Sequence, residues 1–243
     1  MYYKYIFVDL DDTIWDFHAN AKEALHDVFF AKELDRYTHS FEEFYKIYSK
    51  RNLELWSQYG QGLITKDFLI VERFHFPLLE IGINDKELAL KMNNSFLKQL
   101  ATKTNLVPYA KELLDFCKEN KLPLSIISNG FVEVQYKKLR NAGIENYFQH
   151  VVLSEAVGAL KPDPKIFEHA LNLNHAQKDE VLMIGDSFDA DIIGASLTGI
   201  DAVFLNHTGK TVELPNRVIE ISSLKRIDKV ICSGILENKK HNL

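Results

Sequence analysis

The sequence predicts an α/β fold in which a parallel β-sheet is interrupted by a block of helices. From residue 105 onward, short apolar segments alternate with helical patterns and turn signals. Between residues 16 and 103, by contrast, apolar residues recur only at helical spacing. Apolar strands that alternate with helices are typical of a parallel sheet covered by helices on both faces. The helical block is therefore predicted to be an insertion that follows the first strand.

Five segments are predicted as strands because they are short, apolar and rich in β-branched or aliphatic residues. In chain order they are Tyr5–Val8, Leu124–Ile127, Val151–Leu153, Val181–Ile184 and Ala202–Leu205. The helix after the third strand is marked by Asp163 as N-cap and Pro164 in its first turn. We expect these strands and their helices to form a core domain of residues 1–15 and 104–243.

The inserted domain, residues 16–103, is predicted to contain four helices and no strand. Its four helical segments are NAKEALHDVFFAKEL, FEEFYKIYSKRNLELWSQYG, TKDFLIVERFHFPLLEIG and NDKELALKMNNSFLKQLATKT.

Composition narrows the class of protein. Of 243 residues, 46% are hydrophobic and 26% charged, which is ordinary for a globular protein. The net charge is −5 and no long basic run occurs, which argues against a nucleic acid polymer as partner. No apolar run reaches the roughly 18–20 residues that cross a bilayer, and the N-terminus lacks a signal-peptide pattern. We expect a soluble cytoplasmic protein with no membrane partner.

Cys117 is expected to be a buried free thiol.

Polar side chains follow four of the predicted strands. Their motifs, in order, are Asp9-Leu10-Asp11-Asp12-Thr13, Ser128-Asn129-Gly130, Lys161-Pro162 and Gly185-Asp186-Ser187 with Asp191. Ligands of parallel α/β sheets bind beyond the carboxyl ends of the strands, so these side chains are expected to meet. A single aspartate after a strand is usually a turn or cap residue, and Asp12 is interpreted in that way. The ordered set of four motifs indicates a site.

The residue types in this set suit a phosphate ester and a cation. Asp9 and Asp11 are two residues apart on an extended chain and point the same way. With Asp186 they bring several carboxylates together, which do not all stay ionised without a cation. Carboxylate oxygens favour Mg²⁺. A hydroxyl, backbone amides and a lysine suit a phosphoryl group, and these are supplied by Ser128, Asn129-Gly130 and Lys161.

The four motifs resemble those of the haloacid dehalogenase superfamily, over about residues 5–206. The resemblance implies a Rossmann-like core sheet of order 3-2-1-4-5 with a helical cap inserted after the first strand. It also implies that Asp9 is a nucleophile that forms an aspartyl phosphate and that Asp11 is the general acid and base. Ser128 and Lys161 would hold phosphoryl oxygens. Thr13 would stabilise the loop that follows the first strand. The implied Mg²⁺ site consists of Asp9, the Asp11 carbonyl and Asp186, with Asp191 behind them.

The presence of Asp11 separates branches of this superfamily. Its dehalogenases attack carbon and lack an acid at this position, because halide leaves without a proton. Asp11 therefore favours a phosphatase. A phosphonatase is disfavoured because no cap lysine is singled out for a Schiff base.

Parts of the cap sequence resemble the bacterial pyrimidine 5′-nucleotidases, in particular around Leu55-Trp56, Tyr59 and Arg73-Phe74. The implied substrate is a small phosphorylated metabolite, a pyrimidine nucleoside 5′-monophosphate. The residues expected to contact it are Thr13, Asn129, Gly130, Phe131 and Trp56. A sugar-phosphate or phosphoglycolate phosphatase, a phosphomutase and a non-catalytic phospholigand-binding protein stay open as alternatives. The oligomeric state, monomer or homodimer, also stays open.

Overall fold

The structure is a computed structural model that describes residues 1–38 and 40–235. The last eight residues of the predicted core domain, 236–243, lie outside the described part. The chain divides into two compact units, one made of Met1–Phe17 and Asn105–Leu243 and the other of His18–Thr104. The first division falls two residues after the expected boundary, and the second falls one residue after it.

The first unit contains a six-stranded parallel sheet, which confirms the predicted α/β class. The strands are β1 (Tyr5–Val8), β2 (Leu124–Ser128), β3 (Phe148–Leu153), β4 (Val181–Gly185), β5 (Asp201–Leu205) and β6 (Val218–Ile221). Their order is β3-β2-β1-β4-β5-β6, so the expected order of the first five strands is confirmed. β1 lies between β2 and β4, with Ile6 in register with Leu124 on one side and Leu182 on the other.

A sixth strand, β6, was not identified from the sequence. β6 pairs with β5 through Ala202 and Val218 and forms the edge of the sheet. Its sequence is VIEI, and only Val218 is fully buried. A short edge strand with a charged residue lacks the continuous apolar run by which the other strands were identified.

Helices follow most strands of the first unit. They are α5 (Ala110–Glu119), α6 (Val132–Asn141), α7 (Ser154–Val157), α8 (Pro164–Leu173), α9 (Ile193–Thr198) and α10 (Ile227–Ser233). Asp163 caps α8 by accepting a hydrogen bond from the Lys165 amide, as predicted. The helix expected after β4 begins instead with a π-helical turn, Phe188–Ile192, which leads into α9. This turn carries Asp191.

In its described residues the second unit contains four α-helices and a short 3₁₀ helix, Leu34–Arg36. The α-helices are α1 (Phe17–Ala31), which begins in the first unit, α2 (Phe41–Gly60), α3 (Lys66–Glu80) and α4 (Lys86–Leu100). Ser40, Thr65 and Asp85 are the N-caps of α2, α3 and α4, and each side chain accepts a backbone N–H. Packed aromatic rings fill the interior, among them Tyr48 against Phe74 and Phe96.

No helix in the described part of the chain combines the length and apolarity that crossing a bilayer requires.

Candidate active site

The carboxyl ends of three adjacent strands, β2, β1 and β4, bring predicted site residues together. Asp9 follows β1, Ser128 is the last residue of β2, and Asp186 follows β4. The Asp9 amide continues the pairing of β1 with β4 by donating to the Ile184 carbonyl (3.0 Å). Asp9 and Ser128 are buried. The sheet order therefore places these side chains together although they are far apart in sequence.

Lys161 places a buried ammonium beside Asp9. Its ammonium donates to Asp9 Oδ1 (2.5 Å), Asp191 Oδ1 (2.6 Å) and the Ile127 carbonyl (2.7 Å). An ammonium has three N–H groups, so these partners define its position completely. Burial lowers the pKa of Lys161, but the charges of Asp191 and Asp9 and the hydrogen bonds to both raise it more, and the net shift is upward. Lys161 is therefore positively charged in the site.

Asn129 holds the backbone of Lys161 in place. Its Oδ1 accepts a hydrogen bond from the Lys161 amide (2.8 Å), and its Nδ2 donates to the Lys161 carbonyl (3.0 Å). The sequence predicted Asn129 only as a substrate contact. Its observed partners show that the side chain connects the end of β2 to the backbone of the segment that carries Lys161.

An acidic cluster forms beside Lys161. Carboxylate oxygens of Asp9, Asp186 and Asp191 lie within 4.8 Å of one another. Burial raises the pKa of Asp9 to about 7; Lys161 opposes that shift, and the charges of Asp191 and Asp11 add to it. The pKa of Asp186 is also raised, by burial first and then by the charges of Asp9 and Asp191. Three carboxylates with one ammonium leave an excess of two negative charges when all are ionised, and oxygen ligands of this kind fit Mg²⁺.

Backbone features orient the members of this cluster. Asp191 Oδ2 accepts a hydrogen bond from the Ser187 amide (3.0 Å) across the π-helical turn. A Cβ at position 185 would lie 2.3 Å from Asp191 Oδ2, so only glycine fits there. Thr13 is buried and donates to Asp186 Oδ1 (3.1 Å). Thr13, predicted to steady the loop, thus also orients a carboxylate of the cluster.

Asp11 faces helix α6 and does not belong to the acidic cluster of the described residues. Its Oδ1 accepts from Lys138 Nζ (2.6 Å), and its Oδ2 accepts from Gln135 Nε2 (2.8 Å). Neither Lys138 nor Gln135 was predicted from the sequence as a partner of Asp11. The sequence feature that could have indicated them is their spacing of three residues on the helix that follows the Ser128-Asn129-Gly130 motif. This spacing places both side chains on one face of the helix.

Ser128 belongs to the same network. Its Oγ accepts hydrogen bonds from the Gly130 amide (3.0 Å) and from Gln135 Nε2 (2.8 Å).

Asp12 has a left-handed backbone (φ 58°), and its amide donates to the Trp15 carbonyl (2.7 Å). That geometry agrees with the interpretation of Asp12 as a turn residue.

The two aromatic residues predicted to contact a base lie in different units. Phe131 is buried and directly precedes α6 in the first unit. Trp56 lies on α2 of the second unit, where its ring packs edge to face on Tyr59 at 5.7 Å between centroids. Their contact with a substrate stays a prediction.

Residues 3–199 match the family model of haloacid dehalogenase-like hydrolases. The chain is 29% identical over 234 residues to pyrimidine 5′-nucleotidase YjjG of Escherichia coli, which covers 96% of this chain and 99% of that protein. It is 31% identical over 212 residues to pyrimidine 5′-nucleotidase PynA of Streptococcus pneumoniae, with 85% of both chains covered.

A solved structure agrees with these sequence matches. The crystal structure of the HAD-hydrolase YfnB of Bacillus subtilis bound to magnesium superimposes with a TM-score of 0.85 and 27% identity. The match covers 96% of this chain and 100% of that one.

Proposed function

The chain belongs to the haloacid dehalogenase-like hydrolases, and on that premise we propose that it is a Mg²⁺-dependent phosphatase of pyrimidine nucleoside 5′-monophosphates. One observation carries the proposal. The buried carboxylate of Asp9 is paired with the buried ammonium of Lys161, and a second carboxylate, Asp11, stands two residues further along. A nucleophile, a cation beside it and a separate proton carrier are what transfer of a phosphoryl group to a carboxylate requires.

In the proposed reaction, an oxygen of Asp9 attacks phosphorus while the bond from phosphorus to the ester oxygen breaks. Asp11 gives its proton to the departing oxygen, so the products of this step are an alcohol and an aspartyl phosphate. Asp11, now a carboxylate, takes a proton from water as the water attacks phosphorus. The bond between phosphorus and the Asp9 oxygen breaks as the water adds, inorganic phosphate leaves, and Asp9 is again a carboxylate while Asp11 is again protonated.

The other residues supply charge and position. Lys161 offsets negative charge on Asp9 and on the transferring group, and Ser128 offers its hydroxyl to a phosphoryl oxygen. Asp9, the Asp11 carbonyl and Asp186 would hold Mg²⁺, with Asp191 behind them; when bound, the ion neutralises phosphoryl charge. Phosphoryl transfer depends mostly on such positioning and neutralisation.

The choice of substrate is supported by the similarity to two pyrimidine 5′-nucleotidases over most of the chain. The ring of Phe131, directly after the Ser128-Asn129-Gly130 motif, is proposed to contact the pyrimidine base. The chemistry at Asp9 and Asp11 is the same for any phosphomonoester, so the base and sugar decide only the specificity.

A panel of substrates tests the proposal on the purified protein with Mg²⁺. Nucleoside 5′-monophosphates, hexose phosphates and phosphoglycolate are compared by phosphate release, and we expect the pyrimidine nucleotides to have the highest kcat/KM. Faster turnover of hexose phosphate or phosphoglycolate would instead support the sugar-phosphate or phosphoglycolate alternative. Conversion of a sugar phosphate into its isomer without phosphate release would indicate a phosphomutase.

Substitution of the nucleophile tests the mechanism. Asp9→Asn is expected to abolish turnover, and EDTA to abolish it reversibly. The matched control is Asp189→Asn, which removes an exposed carboxylate near the site. Turnover in Asp9→Asn at the wild-type rate would refute the assignment, and binding without turnover in the wild type would favour a non-catalytic phospholigand-binding protein.

A further inference from the structure

Asp11 is held by two side chains of one helix. Lys138 Nζ lies 2.6 Å from its Oδ1 and Gln135 Nε2 lies 2.8 Å from its Oδ2. Each oxygen of the carboxylate therefore accepts one hydrogen bond and keeps a further lone pair for another partner. The two hydrogen bonds fix the plane of the carboxyl group. The remaining lone pair on each oxygen stays available to bind a proton.

Lys138 is confined to this position. Its side chain is only 4% exposed, although lysine is rarely buried without a partner. The ammonium lies 4.4 Å from the centroid of the Trp15 ring and 5.7 Å from that of Phe17. Aromatic faces attract a cation, so both rings and the carboxylate keep the lysine in one geometry. A flexible surface lysine could not orient Asp11 in this way.

Gln135 connects Asp11 to the loop expected to bind phosphate. Its Nε2 carries two N–H groups, of which one donates to Asp11 Oδ2 and the other to Ser128 Oγ, both at 2.8 Å. A Cβ on residue 130 would lie 2.1 Å from this nitrogen. Glycine at position 130 is therefore required for Gln135 to bridge the two residues.

We propose that Lys138 and Gln135 are positioning residues that aim Asp11 at the ester oxygen, with Gln135 also setting its distance from Ser128. The inference rests on the proposed function, because it takes Asp11 as the group that protonates the leaving oxygen. It assigns neither residue a contact with the substrate. Their loss should matter most where the leaving group needs a proton.

Two esters with different leaving groups test this inference. p-Nitrophenolate leaves readily without a proton, whereas an alkoxide does not. The value of kcat/KM is measured for p-nitrophenyl phosphate and for the alkyl phosphate that the wild type hydrolyses fastest. Lys138→Met and Gln135→Met are compared with Lys137→Met, an exposed neighbour on α6 that serves as the matched control.

We expect Lys138→Met and Gln135→Met to lose about 10- to 100-fold on the alkyl ester and less than about 5-fold on the aryl ester, since acid catalysis contributes about 10²–10⁴-fold. Lys137→Met should match the wild type on both. The ratio of the two values does not depend on how much of a variant is folded, so partial misfolding leaves the test valid.

Equal losses on both esters, or no loss on either, would overturn the inference. Asp11→Asn separates it from the proposed function. If Asp11→Asn shows the selective loss and the α6 variants do not, the positioning role alone is wrong. If the wild type hydrolyses neither ester with Mg²⁺, the proposed function fails and the inference fails with it.

Discussion

Lys161 and Asp9 form a buried ion pair, with Nζ and Oδ1 2.5 Å apart and side chains only 3% and 9% exposed. The same ammonium contacts Asp191 at 2.6 Å, so one cation serves two buried carboxylates. Removing one partner of a buried pair leaves an uncompensated buried charge. This lowers the free energy of unfolding more than replacing both partners by apolar residues does.

Lys161→Met is therefore expected to lose activity and stability together. The free energy of unfolding should fall by about 3–5 kcal/mol, the usual cost of breaking a buried pair. Activity should fall by at least about 100-fold, because the phosphoryl group loses its cation. Urea denaturation and initial rates measure the two effects. Lys165→Met, at an exposed position on α8, should change neither, and wild-type stability in Lys161→Met would contradict the ion-pair assignment.

The raised pKa of Asp9 predicts how metal-free stability depends on pH. Its folded pKa of about 7 lies above the ordinary aspartate value of 3.8, so between these pH values the folded state holds a proton that the unfolded state has lost. Stability from this group is therefore present at low pH and is lost as pH rises through 7. In EDTA, the Tm of the wild type should fall more between pH 5 and pH 8 than that of Asp9→Asn.

Mg²⁺ should reverse this loss, because a dication offsets the carboxylate charges that burial disfavours. We expect MgCl₂ to raise the Tm more at pH 8 than at pH 5, and to have little effect on Asp9→Asn. Scanning calorimetry at both pH values provides the measurement. An equal rise at both pH values would show that the ion binds elsewhere.

Gly185 is expected to tolerate no side chain, because a Cβ there would lie 2.3 Å from Asp191 Oδ2. Gly185→Ala should displace Asp191, weaken Mg²⁺ activation and lower kcat by about 10-fold or more, since positioning errors of this size are costly. A double-mutant cycle with Asp191→Ala tests the cause. If the two losses simply add, Gly185 acts by a route other than Asp191.

The two cysteines should differ in reactivity. Burial raises the pKa of the Cys117 thiol to about 12, and Cys232 is exposed. The thiolate is the reactive form, so a disulfide reagent at pH 8 should label one thiol in the native protein and two in urea. Cys232→Ser should abolish the native reaction. Rapid native labelling of Cys232→Ser would show that Cys117 is accessible.

Local sequence predicted the regular elements well where one physical signal dominated. β1 was predicted with its observed bounds, because four apolar residues between polar neighbours admit only a short buried strand. The Asp163 cap of α8 was equally clear, since capping depends on the residue and its own following amides. β6 was missed, because an edge strand is stabilised by its neighbour more than by its own pattern.

The sequence by itself determined which chemical groups stand after each strand: the carboxylates at 9, 11 and 186, the Ser128 hydroxyl and the lysine at 161. These are local facts about where apolar runs end. Only the tertiary structure decided what those groups contact, as when Asn129 holds Lys161 and Lys138 holds Asp11. Such pairs join residues 32 and 127 positions apart, and their geometry depends on strand order and helix rotation. No pattern along the chain encodes these distances directly, because they result from how the sheet and helices pack.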